Sequence, residues 1–318
     1  MSDLFHPISV DQLARWLFTE LDDRNSALGI PKQYFFVPDP KARYRIQVFG
    51  QSLDTPFGPA AGPHSQMAQN IIAAWLCGGR YIELKTVQTL DELDVSKPCI
   101  DMEDEGYNVE WSQELKVHES FEEYLRAWVL IHALHHKLGY LGETPVLFNL
   151  SVGYDLAGIR QPNMQWFLDH IADCSVRKAE IIDAVAHYYP AVRDIDIPDR
   201  MSDNVTLSTM HGCPPGEIEG ICKYLLQERR LHTLVKCNPT LLGPDRVRGI
   251  INTDLGFKDV AVPDIAFEHD LKYDDAIPML RRLQTVAKDD GLDFGVKLSN
   301  TLEVENRRAV FSPAEKMM

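Results

Sequence analysis

Two things are scarce in this chain of 318 residues: paired cysteines and long apolar runs. The six cysteines, at positions 77, 99, 174, 213, 222 and 237, form no C-x-x-C pair and no zinc or cluster spacing. That argues against an iron–sulfur or zinc centre within the chain, and reduced thiols are the expected state. No apolar run reaches the roughly 18 residues that a membrane span needs. The N-terminus, M-S-D-L-F-H-P, has no basic region followed by an apolar stretch, so no export signal is visible and a cytoplasmic protein is expected. Positive charge is in deficit, 32 basic against 47 acidic side chains for a net charge of -15, which repels nucleic acid and anionic membranes at long range. A G-x-G-x-x-G turn after a strand is also missing, which argues against a dinucleotide fold. Repeats and low-complexity tracts are absent.

What is present is an alternation of strand and helix. Hydrophobic residues make up 45% of the chain, enough for the core of one large α/β domain. Val10, Leu13, Leu17 and Leu21 predict a helix over 8–29, ended by Gly29 and Pro31. A hairpin follows, with alternation over 45–49, a turn at Gly50 and a lead-in over 52–56. Strands are predicted at 57–61, 81–85, 146–151, 204–208, 233–237 and 294–298, with helices over 67–80, 118–137, 163–187, 215–229 and 274–289. Such alternation implies a parallel sheet. Residues 258–263 read equally as a short strand or as part of an insertion, because Pro263 interrupts them. The expected division is an N-terminal helical extension over 1–44 and a β/α barrel over 45–318.

Chemistry gathers at the predicted strand ends. Ala60, Ala61 and Gly62 carry almost no side chain, so a flat ligand can lie against the backbone there. Lys85 and Thr86 end the next strand, where an ammonium can stabilise negative charge developing on a heterocycle. An ordinary βα unit with a snorkelling lysine shares these features. Asn149 and Ser151, then 208–215, then Lys236 with Asn238 and Thr240, and finally Lys297, Ser299, Asn300 and Thr301 mark further polar ends. Several such ends in one alternating chain point to a shared polar mouth. The acidic, aromatic segment 97–111 is expected on the same side, as part of a site or as a solvated loop. His132, His135 and His136 have a spacing that could bind metal, yet no carboxylate pattern supports it and a structural role is expected. His211 with Cys213 is an incomplete zinc half-site, and no metal is expected.

Taken in order, T-P-F-G-P-A-A-G, L-K-T-V-Q-T-L-D, V-T-L-S-T-M-H-G, L-V-K-C-N-P-T and V-K-L-S-N-T resemble the flavin-binding barrel of the dihydroorotate and dihydropyrimidine dehydrogenases. With G-P-A-A-G-P-H, I-E-L-K-T-V-Q, K-P-C-I-D, T-L-S-T-M-H-G-C-P-P and N-P-T-L-L-G, nearly the whole chain is similar to the N-terminal part of a bacterial selenate reductase subunit. The resemblance implies a TIM-type β/α barrel of the dihydroorotate dehydrogenase type. It also implies a flavin-dependent oxidoreductase component, passing hydride or electrons between a small planar substrate and FMN. Ala60, Ala61 and Gly62 would face the isoalloxazine ring, with Lys85 beside its N1–O2 edge. Thr86 and Asn149 count among the cofactor contacts, as does Lys236 after the fifth strand. Asn300 and Thr301 match a pair that holds a pyrimidine. Iron–sulfur clusters and an NAD(P)H-linked flavin domain or subunit are the implied partners.

Two departures accompany the resemblance. Pyrimidine-reducing members carry a cysteine or serine acid/base and a ring-binding asparagine after the fourth strand, where this chain has Thr209 and Thr206. A threonine hydroxyl is a poor general acid without a partner, so His211 and Cys213 join Lys85 and Thr209 as candidate catalytic groups. The alternative for His211 and Cys213 is a turn shaped around Pro214 and Pro215. Fewer residues follow Thr301 than the roughly 30 of a βαβ step, so about six of eight units are expected, without the family's glycine-rich segment for the FMN phosphate. A longer protein or a partner would then complete the barrel. A non-catalytic scaffold is the rival reading.

Overall fold

A computed structural model describes residues 5–90, 113–208, 213–268 and 270–307. The segment 97–111, Thr209 and His211 lie outside the described residues.

The first helix, α1 (Val10–Arg24), is capped by Ser9, whose side chain accepts the N–H of Gln12 at 3.2 Å. Leu13, Ala14, Leu17, Phe18 and Leu21 bury one face of it. It stops short of the predicted Gly29 because Asn25 turns left-handed (φ 50°) and the Glu20 carboxylate takes the hydroxyl of Ser26 and the N–H of Gly29. Residues 26–31 form a minimal hairpin instead, β1 (Ser26–Ala27) and β2 (Ile30–Pro31), turned by Leu28 and Gly29 at positive φ. Phe49 and Gly50 turn the predicted hairpin β3 (Ile46–Val48) and β4 (Gln51–Leu53) in the same way.

Beyond them lie α2 (Ala68–Leu76), β5 (Tyr81–Glu83), α3 (Val117–Lys137), β6 (Leu147–Val152), α4 (Leu156–Ile159), α5 (Pro162–Ala172), α6 (Ser175–Val185) and β7 (Asn204–Leu207). They are followed by α7 (Pro215–Lys223), β8 (His232–Cys237), α8 (Pro244–Arg248), α9 (Ile265–Glu268), α10 (Tyr273–Asp289) and β9 (Phe294–Leu298). The five long-range strands make one parallel sheet in the order β5-β6-β7-β8-β9.

Residues 57–61 run beside β5 without becoming a full strand. The carbonyl of Phe57 accepts from the N–H groups of Arg80 and Tyr81, and that of Pro59 from Glu83. Pro56 and Pro59 have no N–H to return, so the predicted ladder is one-sided. Gly58 is required there, since a Cβ would stand 1.7 Å from the carbonyl oxygen of Tyr81.

The predicted helix 163–187 is two helices. At the break, the N–H of Cys174 is drawn to the carbonyl of Asp199 at 2.8 Å, while the Asp173 carboxylate accepts the N–H of Ser175 at 3.0 Å. Residues 258–263 do not form a strand; the Asn252 amide holds the neighbouring loop through the carbonyls of Phe257 and Val260. Around that loop Val247, Val262, Ala266 and Phe267 form a small buried cluster, joined by Ile251, Leu302 and Val304.

Alternation along each strand separates two faces. Ile82, Phe148, Leu150, Val152, Val205, Leu207, Val235 and Cys237 point outward into the main core beneath the helices. Trp128 of α3, for instance, packs its ring 5.2 Å from that of Phe148. Tyr81, Glu83, Asn149, Asn204, Thr206, Leu234, Lys236 and Lys297 take the other face. A flat sheet would separate β5 from β9 by about 19 Å at the usual strand spacing. Yet the Lys297 ammonium on β9 makes a salt bridge with the Glu83 carboxylate on β5. The sheet is therefore curled, with its polar face on the concave side. No described helix is long and apolar enough to cross a membrane.

Candidate active site

Three cross-strand networks shape the concave face. Deepest, the Asn149 amide donates to Asn204 at 2.7 Å and accepts from the Thr206 hydroxyl at 2.6 Å. All three side chains are buried, which commits Asn149 and Thr206 to each other. Nearer the strand ends, the hydroxyls of Thr86 and Ser151 share a hydrogen bond at 2.7 Å. At the mouth, the Asn300 amide donates to Asn238 at 2.8 Å, tying the end of β9 to the end of β8, and its oxygen accepts the N–H of Thr301.

Lysines from β8 and β9, and Lys85 two residues past β5, belong to this face. Lys85 is buried, and Lys236 stands in register with Lys297 on the neighbouring strand. Like charges directly opposite are unfavourable, so their placement is a local concentration of positive charge in an acidic chain. Glu83 is the counter-charge for Lys297. Its Oε2 also accepts the N–H of Ala61 at 3.0 Å, while its Oε1 is buried with no protein partner among the described contacts. One carboxylate thus holds both the small-residue wall and the far strand.

The wall itself is more crowded than composition suggests. Ala60 is exposed and Ala61 half-buried, but Gly62 lies under the ring of His64, where a Cβ would come within 2.6 Å of Cε1. His64 is hydrogen-bonded to the backbone at Ala60. Lost hydration first, and then the charge of Lys85, push its imidazole below the usual histidine range. Behind the wall, the buried Glu123 of α3 accepts the N–H of Ala68 at 2.8 Å and fixes the start of α2.

Lys85, Thr86, Asn149, Lys236, Asn300 and Thr301 therefore share the concave face or its rim, with Ala60 and Ala61 beside it. Cys213 packs instead against the main apolar core. Burial, with help from Glu217 and Asp155, raises its thiol to about 11, so it is protonated at neutral pH. Glu83 and Lys297 were not expected as a pair and His64 was not expected at all. The signal for Glu83 was its spacing, two residues from Lys85 on one strand and hence on the same face. Among the described residues no group of histidine, cysteine, aspartate or glutamate side chains is placed to hold a metal ion. His132 is instead bonded to the Trp128 carbonyl and His136 to the Tyr189 hydroxyl.

A curled parallel sheet, helices on its convex side and polar strand ends within define a protein of the TIM-barrel class. The family described as "Oxidoreductase YgfK, N-terminal TIM-barrel domain" matches residues 28–318, and the chain belongs to it. Among curated relatives, the proteins named "Putative oxidoreductase YgfK" of Escherichia coli K12 and O157:H7 are each 45% identical over 338 aligned positions. The alignment takes in 100% of this chain and 32% of each of those proteins, so the chain spans about a third of their length. A solved structure of a ligand-free DHODH from Eimeria tenella is similar over 84% of this chain and 79% of its own, at 11% identity and a TM-score of 0.41.

Proposed function

We propose that this domain is the flavin-binding module of a multidomain oxidoreductase, holding FMN in the concave face and passing hydride or electrons between it and a small planar substrate. The observation that carries the reading is the in-register pair Lys236 and Lys297 on β8 and β9, with Glu83 joining Lys297 to the N–H of Ala61 and the buried Lys85 two residues beyond Glu83. The residues present suit the ring: a flat backbone wall, cations for a ring edge, and a buried acceptor at Glu83 without a protein donor. When bound, FMN supplies an electron-accepting ring whose reduced form carries negative charge at N1–O2. Lys85 would stabilise that charge with help from Lys236, and Asn300 with Thr301 would orient substrate at the rim. The loop 208–215 is the proton source, with the protonated Cys213 thiol, Thr209 and His211 as its candidate donors. Iron–sulfur clusters and a nicotinamide-linked flavin domain belong to the further length of the relatives or to partners. Kinship with the selenate reductase subunit is part of this reading, without assigning selenate as substrate.

A specific observation favours a second reading, a scaffold barrel without chemistry: Thr206 is spent on Asn149 rather than turned to a ligand. Titration of the purified chain with FMN, followed by visible absorbance and flavin fluorescence, separates the two. Saturable, stoichiometric binding that weakens in Lys85→Met supports the flavin reading. A folded, colourless protein that ignores FMN overturns it.

A further inference from the structure

Glu83 is a buried carboxylate whose two oxygens differ. Oε2 is engaged twice, by the N–H of Ala61 and by the ammonium of Lys297. Oε1 has no donor, although it is inaccessible to solvent. A buried acceptor left without a donor is costly, and native structures provide one from protein, water or ligand. Its in-register neighbour on β6, Asn149, is turned away to Asn204 and Thr206 on β7. The concave face, which Glu83 shares, is the side from which a ligand can supply that donor.

The surroundings say what kind of donor. The carboxylate is anchored to Ala61, so a group bonding to Oε1 lies directly beside the small-residue wall. A flat ring against that wall presents its edge there. Lys297 stands on the same carboxylate with further N–H donors, because an ammonium carries three and one points at Glu83. Acceptor and donor side by side match a ring edge with an N–H next to a carbonyl.

We infer that Glu83 and Lys297 read such an amide- or imide-type edge, Oε1 accepting the ring N–H and the Lys297 ammonium donating to the adjacent carbonyl. The inference rests on the flavin reading above and deepens it, since the isoalloxazine ring has one N–H of this kind, N3, between two carbonyls. Both residues act on binding and orientation and transfer no proton.

Binding of FMN and of its N3-methyl analogue, measured by fluorescence quenching, tests it. Wild type should prefer FMN over the methylated form by roughly ten- to a hundredfold, the range of one buried hydrogen bond to a charged acceptor. Lys297→Met should weaken both ligands while keeping that preference. The double variant Glu83→Met with Lys297→Met replaces the pair by apolar groups of similar size, a change that folds tolerate well. In it the preference should collapse toward unity. Equal affinity of wild type for the two ligands, or a preference surviving in the double variant, overturns the inference while leaving the flavin reading intact. Failure of both ligands to bind wild type sinks the flavin reading and this inference with it. The wild-type ratio needs no variant, so a misfolded substitution does not blunt the test.

Discussion

The convex sides of β6 and β9 carry the same apolar alternation and meet opposite fates. Phe148, Leu150 and Val152 are at most 1% exposed, sealed in the core that α3 and its neighbours share. On β9, Phe294 still reaches that core, but Val296 is 42% and Leu298 74% exposed. Identical patterning with different cover shows that the alternation specifies an intended face, while neighbouring elements decide whether it is buried. Stability should therefore be graded across the sheet, high at β6 and low at β9. Among the described residues β9 is an edge strand, and an uncovered edge is a surface on which further strands can add.

The strongest way to sharpen this contrast is Phe148→Ala, which should lower unfolding free energy by about 3–5 kcal/mol in urea denaturation. A loss below about 1 kcal/mol would mean that the β6 core is looser than its burial indicates. Acid comes next. Burial lowers the imidazole of His132, on the well-packed side, to about 4, so it is neutral in the native protein. Between pH 6.5 and 4 the unfolded chain binds a proton that the folded chain refuses, so this contribution is fully present above pH 6.5 and is lost as pH falls. The loss approaches roughly 3 kcal/mol, and His132→Gln should flatten the stability profile over that window. The smallest effect is expected at the open side. Leu298→Ser should change stability by less than about 0.5 kcal/mol yet reduce self-association in light scattering, and β9 amides should exchange hydrogen faster than those of β6. Equal exchange at both strands would erase the comparison.

Much of this architecture was legible from periodicity. Five parallel strands, both the hairpin and its turn at Gly50, and the gathering of polar residues at strand ends follow from alternation and from where glycine and proline fall. What failed to be legible depended on partners distant in sequence. The break after Ala172 is set by the Asp199 carbonyl, and the early end of α1 by the Glu20 carboxylate reaching across the next turn. The one-sided ladder at 57–61 was readable in Pro56 and Pro59, whose missing N–H groups were outweighed by the pattern around them. Of the site, Lys85, Lys236 and Asn300 announce themselves at strand ends, whereas the Glu83–Lys297 pair joins residues 214 apart and exists only because the sheet bends. No local pattern encodes a bend of that kind.

That pair spans the arc like a chord. Hydrogen bonds between adjacent strands fix spacing along the curve, but they leave its radius free, and a tie between the outermost strands removes that freedom. The aperture of the cleft is therefore set by two side-chain lengths rather than by the backbone, and residues of different reach at 83 and 297 would make ports of different width on an unchanged frame.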